Sequence, residues 1–64
     1  MRIGTIIAMP SEYSRFARIK DNDGVGYTLD PSHLPKGAEI DDEFAYSVDI
    51  WENDSGLAYN LKEE

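Results

Sequence analysis

Arg15, Phe16 and Arg18 have the chemistry of a nucleic-acid contact. Phe16 and Arg18 stand two apart, so on an extended segment both side chains leave the same face. An aromatic ring can carry a stacked base. A guanidinium can pair with phosphate oxygens or stack in its own right. Lys20 adds a third cation within phosphate-contact range of the same segment. The competing reading puts Phe16 in the core and pairs the arginines with the many surface acids.

Other residues carry weaker signals. His33 follows Pro31-Ser32 in a loop, where it can stack a base or contact a phosphate. Trp51 falls on the polar side of an alternating segment, and an exposed Trp often marks a contact surface. Asp41, Asp42, Glu43 and Asp49 could instead meet a basic protein surface, although Asp41-Asp42-Glu43 also reads as a solvated turn. Asp21-Asn22-Asp23-Gly24 opens like a calcium loop but lacks the later ligands and the bidentate Glu, so it is expected to be a hairpin turn. With one His and no Cys, neither a His-pair metal site nor a thiolate site can be built. No Ser/His/Asp arrangement or phosphate loop can be argued, so no enzymatic chemistry, cofactor or small-molecule substrate is expected.

The scaffold must be small. A 64-residue chain is one domain (residues 1–64), and at this size folding buries only about 60% of the exposable surface. No disulfide holds it, so a well-packed core or a partner must. No segment approaches the ~20 apolar residues of a membrane span, and no leader pattern is visible. The expectation is a soluble, cytoplasmic protein without membrane contact.

The net charge is −7, but it is unevenly spread. Residues 1–29 hold four basic and three acidic side chains, giving +1. Residues 30–64 hold two basic against ten acidic, giving −8. The total opposes phosphate binding, yet it does not exclude a local basic face.

Turn residues cut the chain into strand-length pieces. Residues 2–9 are β-branched and apolar and end at Pro10, with Gly4 marking a bend or a close backbone approach. Residues 15–20 form strand 2, the Asp21–Gly24 turn follows, and residues 25–29 form strand 3. Asp30-Pro31-Ser32-His33-Leu34 reads as one helical turn, with Asp30 as N-cap and Pro31 at the first helical position. Over residues 44–52, Phe44, Tyr46, Val48 and Ile50 alternate with Ala45, Ser47, Asp49 and Trp51, the pattern of a half-buried strand. Asn53-Asp54-Ser55-Gly56 is a second turn. Leu57, Tyr59 and Leu61 alternate with Ala58 and Asn60 in strand 5. The expected inward set is Ile6, Ile19, Val25, Tyr27, Tyr46, Val48, Ile50 and Leu61. Five short strands without a full helix predict an all-β, OB-like five-stranded barrel, because closure removes the exposed edges. A small SH3-like barrel is the alternative.

The order of these pieces resembles the cold-shock domain family. Gly4-Thr5-Ile6-Ile7-Ala8-Met9 stands for its opening Gly-x-Val-Lys-Trp-Phe. Ser14-Arg15-Phe16-Ala17-Arg18-Ile19 stands for its Lys-Gly-Phe-Gly-Phe-Ile motif, and Val25-Gly26-Tyr27-Thr28-Leu29 for Val-Phe-Val-His-Phe. Ser32-His33-Leu34 and Gly56-Leu57-Ala58-Tyr59-Asn60-Leu61 follow in the family's order. The resemblance implies a cold-shock-type barrel that binds single-stranded RNA or DNA through strands 1–3, as chaperone or regulator, with Thr28 at the strand-3 His position. Of the family's stacking positions only Phe16 is aromatic here; Ala8, Met9, Arg18, Gly26 and Thr28 occupy the others. The rival expectation is an acidic protein-interaction module, or an inhibitor from a mobile element. Its acidic half and Trp51 would contact a basic partner. A basic and aromatic face on strands 1–3 would favour the first expectation, and a depleted or acidic face the second.

Overall fold

The computed structural model describes residues 2–50 and 56–63. Five strands appear in order: β1 (Arg2–Ala8), β2 (Ala17–Asp21), β3 (Gly26–Leu29), β4 (Glu43–Ile50) and β5 (Gly56–Lys62). One 3-10 turn, Pro31–His33, lies between β3 and β4. The strands close in the order β1-β2-β3-β5-β4, with β1 paired to both β2 and β4 and β3 parallel to β5. This is the OB-like barrel of the two architectures expected. Among the described residues no helix is long and apolar enough to cross a membrane.

The local signals act as their chemistry requires. At the β2–β3 hairpin, Gly24 N–H donates to Asp21 O and Val25 N–H to the Asp23 carboxylate. Gly24 takes φ +96°, a conformation that glycine adopts without a Cβ penalty. The Asp30 side chain accepts from Ser32 N–H at 2.9 Å and caps the 3-10 turn that Pro31 begins. The acidic turn after it is tied to β1: Asp41 N–H donates to Ile6 O, and Ile6 N–H donates to Asp42 O.

Ile6, Ala17, Ile19, Tyr27, Leu29, Phe44, Tyr46 and Ala58 form the buried cluster, and Val48 and Leu61 pack against it. Two expected core residues do not belong to it. Val25 is 38% and Ile50 54% exposed. Both have the inward parity. Val25, however, lies before β3 begins, and Ile50 is the last described residue of β4, so the barrel wall does not enclose them. β2 begins at Ala17, not Arg15. Its last partner on β1 is Ala8, and Pro10, which has no N–H to offer a ladder, follows soon after. Trp51 and the Asn53-Asp54-Ser55 turn lie outside the described residues.

Two bulges change the phase of the pattern. Ile6 and Ala8 face the adjacent residues Ile19 and Arg18, so Ile7 is an extra residue on β1 and turns to solvent. On β5, three steps from Tyr59 to Lys62 match two steps from Ser47 to Ala45, and Asn60 sits at φ +58°. Gly56 and Ala58 are therefore buried on one side of this bulge, and beyond it Leu61 reaches the core. Small residues are needed at the first stretch: a Cβ on Gly56 would lie 2.7 Å from Asp49 O and 3.2 Å from the Tyr27 ring.

A polar cluster closes one end. Arg2 donates to the Asp21 carboxylate at 2.9 Å, the Tyr46 hydroxyl donates to the same oxygen at 3.0 Å, and the Arg2 guanidinium lies 5.5 Å from the Tyr27 ring centre. Burial raises the Asp21 pKa, but the Arg2, Tyr46 and Asn22 hydrogen bonds outweigh it and hold the carboxyl below its ordinary value. A depressed folded pKa means stability that is complete above the unfolded value, near 4, and is lost as pH falls through the folded one. Asp21→Asn is thus expected to be less stable than wild type at pH 7, with the gap narrowing as pH drops below about 4. Urea unfolding at both pH values measures the gap; a constant gap would show that Asp21 is not held by these bonds.

Candidate nucleic-acid interface

The outer face of β1–β3 is built by parity. Ala17, Ile19, Tyr27 and Leu29 turn into the barrel, so Arg18, Lys20 and Thr28 turn out. Arg18 pairs with Thr28 across the ladder and Lys20 with Gly26. Thr5, opposite Lys20, also pairs with Glu43 on β4, so this basic face becomes acidic at its β4 side.

Phe16 precedes β2 and is 39% exposed, outside the core cluster. The Arg15 guanidinium stands 5.7 Å from its ring centre, within cation–π range. Among the described residues the ion pair within 4 Å is Arg2–Asp21, so neither Arg15 nor Arg18 pairs with a described acid. Arg18 instead donates from Nη1 to Thr28 Oγ1 at 3.3 Å.

His33 is exposed on the 3-10 turn and lines a cleft of about 350 Å³ with Asp30, Ser32, Asp49, Leu57 and Tyr59. The fold thus places His33 and Asp49, a residue the sequence suggested for a different partner, on the same cleft. The Asp30 carboxyl sits below its ordinary value, chiefly through its bonds to Ser32, with smaller contributions from the charges of His33 and Arg15. Of the acidic candidates, Asp41, Glu43 and Asp49 are exposed, whereas the Asp42 carboxylate accepts from Glu39 N–H at 2.8 Å within its own turn.

Comparisons with family models, curated proteins and solved structures return no match for this chain. The cold-shock resemblance therefore stands on the residue order alone.

Sequence reasoning missed Tyr13, which is 91% exposed in the β1–β2 connection. A signal was available. Between Pro10 and Arg15 its neighbours are Ser11, Glu12 and Ser14, too polar and too few to carry the ring to the core. The turn is held by Ser11 N–H donating to Ser14 O and Tyr13 N–H donating to the Ser11 hydroxyl.

Proposed function

We propose that this protein binds single-stranded nucleic acid weakly on the outer face of β1–β3. The observation that carries this reading is the exposed Phe16 ring with Arg15 against it, continued by the outward Arg18 and Lys20 on β2. A base stacks on Phe16, and the three cations contact the backbone on either side. Binding is weak because one aromatic ring serves as platform and the protein's net charge of −7 repels phosphate.

Two or three phosphate contacts release as many counterions, so the log–log salt slope is expected to be shallow, about −1.4 to −2.1. Phe16→Ala should weaken binding by about 1–3 kcal/mol whatever the base composition, since every base has a face to stack. Titration of labelled heptamers at two salt concentrations tests both. Binding that ignores Phe16→Ala would move the site off this face.

A second reading rests on a different surface. Ile40 is 53% exposed next to Asp41 and Glu43, an apolar residue among acids that suits contact with a basic protein. It takes over if no strand binds at low salt, where phosphate contacts are strongest.

A further inference from the structure

Three elements wall the cleft that His33 lines. Ala58 is buried and Val48 packs on the core, so by strand parity Leu57, Tyr59 and Asp49 turn outward. Asp49 on β4 is the cross-strand partner of Leu57 on β5. The 3-10 turn and its cap, Asp30, supply the third wall. The cleft has about 350 Å³, near the lower end for small-molecule sites. Leu57 and the Tyr59 ring, 37% exposed, give it an apolar side, and Asp30 and Asp49 give it two carboxylates. Neither carboxylate has a described cation within 4 Å; the charges of His33 and Arg15 reach Asp30 without forming an ion pair. No Lys, Arg or His occurs between Lys36 and Lys62, so Asp49 lies in a stretch of chain without a basic residue.

We propose that this cleft is a binding site for a small aliphatic diamine or polyamine, whose ammonium groups pair with Asp30 and Asp49 while its methylene chain lies on Leu57 and Tyr59. Charge fixes the sign of the ligand: an anion is repelled by both carboxylates, and the net charge of −7 draws cations to the surface. The apolar side fixes its body. A bare metal ion gains nothing from Leu57 and Tyr59, and the described residues bring no three metal-ligating groups together. An ammonium on an aliphatic stem uses both sides of the cleft, since its charge meets a carboxylate or the Tyr ring and its stem covers apolar surface. The site is separate from the Phe16 face and does not depend on the single-strand reading.

Titration of putrescine at low salt, followed by NMR amide shifts, gives both affinity and place. Saturable shifts are expected at Ser32, His33, Leu57 and Tyr59. Asp49→Asn should weaken binding at least about threefold, and butylamine, with one ammonium, should bind at least about threefold more weakly than putrescine. Asp49 is exposed, so the urea midpoint of the variant should match wild type. Glu39→Gln removes one charge from an exposed side chain that does not line the cleft, and should stay within about twofold of wild type. Equal losses from Asp49→Asn and Glu39→Gln would show a general attraction of cations to an acidic protein and overturn the site. Butylamine binding as tightly as putrescine would overturn the pairing of two ammoniums with two carboxylates. Phe16→Ala should bind putrescine as wild type does. Putrescine binding without single-strand binding would keep this site and reject the reading above; single-strand binding without putrescine binding would overturn this site alone.

Discussion

Gly4→Ala is expected to cost about 3 kcal/mol, the upper end of what an added methyl costs in a packed interior. Its Cβ would lie 2.8 Å from Lys20 O, 2.9 Å from Tyr46 Cε1 and 3.0 Å from Ile19 Cγ1. None of the three can yield cheaply. Lys20 O is backbone in the β1–β2 ladder, Ile19 is fully buried, and the Tyr46 ring is pinned by its hydroxyl bond to Asp21. A domain of this size has roughly 3–10 kcal/mol of stability in total, so the loss is about a third of it or more. Gly24→Ala is the control. That position has φ +96° and nothing within 4 Å of an added Cβ, so it carries backbone strain alone, about 1 kcal/mol. Urea unfolding of both variants decides the matter; if Gly4→Ala loses no more than Gly24→Ala, β1 does not approach β2 and β4 as closely as described.

Tyr46→Ala should remove about 3–5 kcal/mol, because the ring is the largest fully buried side chain among the described residues and leaves a cavity facing Tyr27. Tyr46→Phe divides that loss into its parts. It keeps the ring and deletes the hydroxyl that donates to Asp21, where burial and the Asp21 hydrogen bond hold the phenol proton on well above its ordinary pKa. The expected cost is about 1–2 kcal/mol, that of a bond to a charged partner which keeps its other donors, Arg2 and the Asn22 N–H. The difference between the two variants is the contribution of ring packing. Nearly equal losses would mean that the hydroxyl, not the ring, holds this end of the barrel together.

The two variants also mark where sequence reading was sufficient. Tyr46 follows from parity, since it alternates with Ala45 and Ser47 between Phe44 and Val48. Gly4 reads as a close approach because a glycine interrupts a β-branched run. The Asp21–Gly24 hairpin and the Asp30-Pro31 turn were equally legible: each is set by side-chain-to-backbone bonds within a few residues. The exposure of Phe16 was not legible. Its alternatives, core residue or platform, differ only in where β2 begins, and that is decided by the Ala8–Arg18 pair and by Pro10 just past the end of β1.

By itself, then, the sequence determined five strands, the Asp21–Gly24 and Asp30-Pro31 turns, the inward parity at mid-strand and a cationic, aromatic segment around Phe16. These depend on backbone pleat and nearby hydrogen bonds, which act over two to four residues. The tertiary structure alone decided the bulges at Ile7 and Asn60, the exposure of Val25 and Ile50 at the barrel's limits, and the placing of His33 and Asp49 on one cleft. It also brought the end of the Arg18 side chain up to Gly26. Each of these depends on which distant segments pair and in what register. The parallel joining of Thr28 to Leu57 and Leu29 to Ala58 closes the barrel between stretches about thirty residues apart, beyond the reach of any local pattern.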